Sequence, residues 1–150
     1  MKKSIGLVLA GTGLLIMIAS VAGFLYFNKP VGSAFEYYKM GVFYAGEQNW
    51  DKAIAEFNKA ISLDGKYVNA YRERAYARSA KDMLPETISD FERVIELDPN
   101  NTDDYRALGS LYSTQGNKSK AITALKNAIK HTDDKATIAD IKKELAGLEK

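Results

Sequence analysis

The feature that most constrains this chain is a repeat period of about 34 residues. Tyr37, Tyr71 and Tyr105 recur at that interval, as do Gly41, Ala75 and Gly109; Ile54, Ile88 and Ile122; Phe57, Phe91 and Leu125; and Ile61, Ile95 and Ile129. A fixed period of this length implies a stack of like supersecondary units, each burying its apolar face against the next. Within each unit, apolar residues three and four apart fill two stretches, separated by Gly46 to Asn49, Lys81 to Leu84 and Gln115 to Asn117. Each unit is thus expected to be two antiparallel helices, and the fold all-α.

Small residues at Gly41, Ala75, Gly109, Ala53, Ala121, Ala60 and Ala128 mark where helices approach closely, while Phe57 and Phe91 fill the space between. Local signals agree. Ser33 and Glu36 form a capping-box pattern, Asn49 and Asn117 suit the starts of second helices, and Pro85 suits the first turn of the middle unit's second helix. Residues 136–150 place Ile138, Ile141, Leu145 and Leu148 on one face and Lys142, Lys143, Glu144 and Glu149 elsewhere, after the cap candidates Thr132, Asp133 and Asp134. A repeat array needs such a terminal element with a polar outer face.

On these residues the chain resembles the tetratricopeptide repeat family, whose pattern runs from an aromatic through Leu-Gly and Tyr to Ala, Phe and Pro. Unit one, residues 34–67, offers Tyr37, Met40, Gly41, Tyr44, Ala53, Phe57 and Ala60, with Gly65 in place of proline. Unit two, residues 68–101, offers Tyr71, Ala75, Phe91 and Pro99 but carries Arg74 and Arg78 where leucine and tyrosine are usual. Unit three, residues 102–135, offers Tyr105, Leu108, Gly109, Tyr112, Ala121, Leu125 and Ala128, with Asp133 in the proline column. The resemblance implies a right-handed superhelical α-solenoid closed by the capping helix.

Ahead of the repeats, residues 1–30 are unlike the rest. The stretch from Ile5 to Phe27 carries no charge and follows the basic start Met1-Lys2-Lys3. As a helix it would cover roughly 34 Å, against a bilayer core of about 30 Å. Phe24, Tyr26 and Phe27 suit the interface, and Lys29-Pro30 a stop. The expectation is a single-pass transmembrane anchor; cleavage after Ser20-Val21-Ala22 as a signal peptide is the alternative, although the apolar stretch is long for one. The basic residues before the span place the amino terminus in the cytoplasm and residues 31–150 on the extracytoplasmic, periplasmic side. With cleavage, the domain would be a soluble periplasmic or secreted adaptor.

Charge narrows the function. Lys2, Lys3 and Lys29 leave 18 basic and 19 acidic residues for positions 31–150, a net charge of −1 with signs interspersed. That gives no one-sided positive field for nucleic acid. Cysteine is absent and His131 is the single histidine, which leaves little for nucleophile, base or metal chemistry. No enzyme activity, cofactor, metal or small-molecule substrate is expected. Oxygen-bearing residues in Asp98-Pro99-Asn100-Asn101-Thr102-Asp103-Asp104 alternate as in a calcium loop, but Asp103 and Gly109 stand where glycine and a bidentate glutamate are required, so a repeat turn with a helix cap is expected. His131 is expected to pack or to meet a helix carboxyl end. Arg74 and Arg78 are expected to pack their stems and to reach acids such as Glu73 or Asp82.

The family resemblance implies that the first helices of the hairpins line a concave groove for a peptide segment. Its columns fall on Tyr38 and Val42, on Arg72, Tyr76 and Ser79, and on Arg106, Ser110 and Ser113. Two arginines among aromatic residues suggest a partner segment with apolar or aromatic side chains and a carboxylate. The lysine and asparagine clamp by which some family members hold chaperone carboxyl termini is missing, since Tyr38, Val42, Glu73, Asp103 and Ala107 occupy its places. The expected partners are proteins, as subunits of a membrane or cell-envelope complex, with the chain as an accessory or assembly subunit.

Overall fold

A computed structural model describes residues 32–149. These form seven helices: α1 (Ala34–Gly46), α2 (Trp50–Leu63), α3 (Val68–Ser79), α4 (Leu84–Leu97), α5 (Thr102–Thr114), α6 (Lys118–Lys130) and α7 (Lys135–Leu148). The hairpins are α1–α2, α3–α4 and α5–α6, each chained to the next through α2–α3 and α4–α5, with α7 on α6. The capping helix begins one residue before the sequence boundary, with Asp134 as its cap. The membrane-anchor expectation for Ile5 to Phe27 lies outside the described residues; among the described residues no helix is long and apolar enough to cross a membrane.

The helix starts follow their local chemistry. Ser33 and Glu36 complete a reciprocal capping box, each side chain accepting from the other residue's amide, at 3.2 and 2.9 Å. Asn49 and Asn117 accept from the amides of Lys52 and Lys120, while Met83 at the equivalent place has no side-chain cap and leaves the start to Pro85. The turn inside each hairpin repeats one geometry. Gln48, Asp82 and Gly116, each one repeat period from the next, all have positive φ (57°, 57° and 82°), and the next amide in each case donates back to Tyr44, Arg78 or Tyr112. This is the left-handed helix ending for which glycine is suited, yet two of the three turns use a side-chain-bearing residue.

Packing follows the repeat columns. Phe57 is fully buried, and a Cβ at Gly41 would lie within 2.9 Å of three of its ring carbons. At Gly109 a Cβ would meet Leu125 at 2.9 Å. The core is accordingly a series of clusters running along the array. Ala53 and Phe57 join Ala77 of the next unit; Ala75, Ile88 and Phe91 join Leu108 and Tyr112; Tyr105, Leu125 and Ala128 join Ile141 and Leu145 of the cap. Each unit completes its neighbour.

The middle unit departs from this. Arg74 and Arg78 reach neither Glu73 nor Asp82. Both converge on Asp90 of α4, a buried carboxylate, with Arg74 forked across its two oxygens at 3.0 and 2.5 Å and Arg78 at 2.6 Å. Arg74 also donates to Asn58 at 2.6 Å, tying the first unit in. Asp90 wins because it projects from the partner helix into the same interior, where a buried guanidinium needs a charged acceptor; Glu73 and Asp82 lie on the arginines' own helix and turn.

At the third unit the corresponding residues are Leu108, Tyr112 and Ala124. Tyr112 is buried, and its hydroxyl donates to Glu92. Burial, reinforced by that bond, pushes the hydroxyl up to about 12. An unfolded tyrosine ionises near 10, so the neutral phenol stabilises the fold fully below pH ~10, and that stabilisation is lost between pH ~10 and ~12. An ultraviolet phenolate titration is expected to show a late-ionising tyrosine that disappears in Tyr112→Phe. An unchanged titration would contradict the assignment.

Candidate functional site

The first helices α1, α3 and α5 and the capping helix α7 form one layer. α1 packs on α3, while Arg72 to Asp104 joins α3 to α5 and Arg106 to Glu144 joins α5 to α7. At its amino-terminal end the layer is apolar. Tyr38 sets its ring 5.1 Å from Tyr67 and 6.1 Å from Phe57, Val42 is 41% exposed, and Tyr76 is 50% exposed with its edge on Phe91 at 5.5 Å. Phe35 and Phe43 are also exposed on α1.

Ser110 and Ser113 share a pocket of about 480 Å³ with Arg106, Gly109, Thr114 and Glu144, floored by Leu125 and Leu148. The columns expected for a groove therefore bring Arg106, Ser110 and Ser113 together. Val42 and Ser79 stand exposed outside that pocket, as does Tyr76.

The two arginines are already engaged. Arg72 lies forked on the buried Asp104 at 2.9 and 2.7 Å, donates to Asn69 at 2.8 Å and has Asp98 at 3.8 Å. The Asp104 hydrogen bond is the main reason its guanidinium holds its proton more firmly than usual. Arg106 is held in the same way by Glu144, with Asp140 and Asp103 adding to the field. Sequence reading missed these acceptors, because Asp104 is 32 residues and Glu144 38 residues from its arginine, outside the repeat register.

Glu73, next to Arg72 on α3, makes no ion pair or side-chain hydrogen bond among the described residues. Burial raises its carboxyl above the usual range, opposed by Arg72. Its charge is felt at Tyr38 and Tyr76, whose hydroxyls are raised chiefly by burial.

Other sequence candidates have structural roles. Asn101 caps α5 by accepting from the amides of Asp103 and Asp104, and Asp98 accepts from that of Asn100, so the Asp98 loop is a capped inter-repeat turn. His131 stacks flat on Tyr105 at 5.0 Å and ends α6, its carbonyl accepting from Thr102 at 2.8 Å.

A second cavity, about 330 Å³, opens where α4 of the second unit meets α5 and α6 of the third. Ile95, Leu108, Tyr105, Tyr112 and Ala124 line it, with Glu92 and Lys120 among its polar residues. One unit earlier, the columns of Leu108, Tyr112 and Ala124 hold Arg74, Arg78 and Asp90.

With this geometry the comparisons agree. Tetratricopeptide-repeat family models match residues 34–67 and 91–123, the second running from α4 into α6. The chain is 40% identical over 65 residues to the chloroplastic tetratricopeptide repeat domain-containing protein PYG7 of Arabidopsis thaliana, covering 43% of this chain and 22% of that protein. It is 32% identical over 85 residues to Hsp70-Hsp90 organizing protein 3 of the same plant, covering 57% of this chain and 15% of that protein. It thus spans less than a quarter of either relative. Among solved structures, the first repeat domain of Spaghetti (RPAP3) bound to the HSP90 peptide SRMEEVD superposes with a TM-score of 0.68 at 17% identity, over 79% of this chain and 94% of that one. That likeness shows the fold. Residues 34–67 and 91–123 are thus tetratricopeptide repeats.

Proposed function

We propose that this chain is a membrane-tethered scaffold that holds a segment of a partner protein in the groove along α1, α3, α5 and α7, as an accessory or assembly subunit of a larger membrane complex. The groove carries the reading. Exposed Tyr76 and Val42 and the 480 Å³ pocket at Ser110 and Ser113 offer contact area on a layer fixed by ion pairs, and tyrosine is a favoured contact residue. Tethering is supported by the uncharged run from Ile5 to Phe27, which ends shortly before Ser33.

The related structure with its acidic HSP90 peptide is a guide to the form of the ligand, a short peptide segment, and not to its sequence or charge. This chain lacks the clamp residues, and its groove arginines are taken by Asp104 and Glu144.

Tyr76→Ala combined with Ser110→Trp, which empties one contact and fills the pocket, is expected to cut recovery of the co-purifying partner about tenfold at unchanged helicity. Unchanged recovery would move the contact to the cavity between α4 and α6. The intact mass of the membrane fraction should include Met1 to Ala22; their loss would replace the anchor with a cleaved periplasmic adaptor.

A further inference from the structure

The groove residues had suggested a partner carrying a carboxylate, because Arg72 and Arg106 stand in its columns. The structure removes both from play. Arg72 faces Asp104 and Asp98, and Arg106 faces Glu144 with Asp140 and Asp103 close enough to strengthen its hold on its proton. With Glu73, two guanidinium groups meet six carboxylates. Coulomb's law therefore makes the field around these two arginines net negative; the exposed Lys39 of α1, with its ammonium over the Phe35 ring, and Lys142 and Lys143 of α7 stand outside this set.

The carboxylates differ in what they can do for a ligand. Asp104 is buried and forked by Arg72, and Glu144 is bonded to Arg106, so both are satisfied within the fold. Asp103 and Asp140 are exposed and their carboxylates make no ion pair or hydrogen bond among the described residues. Glu73 is half-buried beside the tyrosines and likewise unpaired. Tyr76 presents half its surface to solvent, and Val42 and Phe35 on α1 are exposed beyond it. Negative charge therefore runs from Glu73 toward α7, next to an aromatic and aliphatic wall at α1 and α3. An incoming acid would meet no unpaired base on α3 or α5, where Arg72, Arg74, Arg78 and Arg106 are all ion-paired. An incoming base would meet unpaired acids and tyrosine rings, whose faces attract cations.

We infer that the groove selects a partner segment that joins an apolar stretch to a basic one, the apolar side chains meeting Val42, Tyr38 and Tyr76 and the cations meeting Glu73, Asp103 and Asp140. This rests on the groove being the contact surface, as proposed above. Long-range attraction would speed encounter and reject acidic competitors, while the tyrosine wall would hold the segment once docked.

The test uses the full chain in zwitterionic detergent micelles and two short fluorescent peptides, one joining a leucine-bearing half to an arginine-bearing half and its counterpart with glutamate in place of arginine. Signal from empty micelles is subtracted. Fluorescence anisotropy is expected to show the arginine peptide binding about tenfold or more tightly than the glutamate peptide, with the preference largely erased near 0.5 M salt, at roughly which ionic strength the Debye length falls to about 4 Å. Asp103→Asn with Asp140→Asn, both on exposed positions, should weaken the arginine peptide about fivefold or more and leave the glutamate peptide no weaker. Glu73→Gln should weaken it further.

Equal affinities, a preference for glutamate, or no binding of either peptide would overturn the inference. The groove reading has its own test. If the arginine peptide binds but Tyr76→Ala with Val42→Ser changes nothing, the charge preference belongs to another surface and both statements fall.

Discussion

Asp90→Ala is expected to destabilise the chain by about 3–5 kcal/mol, because it strands two guanidinium groups in the interior. Arg74 and Arg78 have side chains only 13% and 17% exposed, and both depend on the Asp90 carboxylate. Arg74 would retain Asn58, a neutral acceptor; Arg78 would keep only a 3.4 Å contact to the carbonyl of Glu86, with its Nε still buried and unbonded among the described residues. The third unit shows what the space accepts instead. Leu108, Tyr112 and Ala124 stand one repeat period beyond these three. Arg74→Leu, Arg78→Tyr and Asp90→Ala together should therefore recover to within about 1 kcal/mol of the parent or exceed it, since apolar replacement of a buried ion network is often neutral or stabilising. Urea unfolding monitored by circular dichroism decides this. A triple variant no more stable than Asp90→Ala alone would mean that the columns of adjacent units are not interchangeable.

The second large effect is at Phe57. Truncation to alanine is expected to cost about 3–5 kcal/mol, the range for deleting a buried aromatic side chain, because the ring is fully buried and fills the space that Gly41 leaves open. The pair should be strongly non-additive. In the parent, Gly41→Ala drives a methyl into three ring carbons and should cost about 1–3 kcal/mol. In the Phe57→Ala background the same methyl enters a vacancy and should cost nothing or restore part of the loss. Additive costs in a double-mutant cycle would show that the ring does not occupy the space facing Gly41.

Gly41 and Phe57 were legible in the sequence because the relation between them returns at Ala75 with Phe91 and at Gly109 with Leu125. The caps at Ser33, Asn49 and Asn117 were legible for a different reason: the amide each satisfies lies three residues along the chain, so no tertiary knowledge is needed. The groove was placed only through family resemblance. Its residues could be named, but their charge state could not. An arginine carries a long side chain that several acids can reach, and the distances from Arg72 to Asp104 or Arg106 to Glu144 follow from how consecutive units lean on one another. The same limit explains Arg74 and Arg78, for which nearby acids in sequence were named and Asp90 across the hairpin was the partner.

By itself, then, the sequence determined the all-α repeat architecture, the positions of turns and caps, and the small and large columns. These depend on contacts within a helical turn or repeated at a constant interval, so each is written into the chain at fixed spacing. Only the tertiary structure decided which carboxylates neutralise which arginines, and with that which acids are left unpaired beside them. Electrostatic pairing is set by distances between side chains on different helices, and a net field depends on all of them at once.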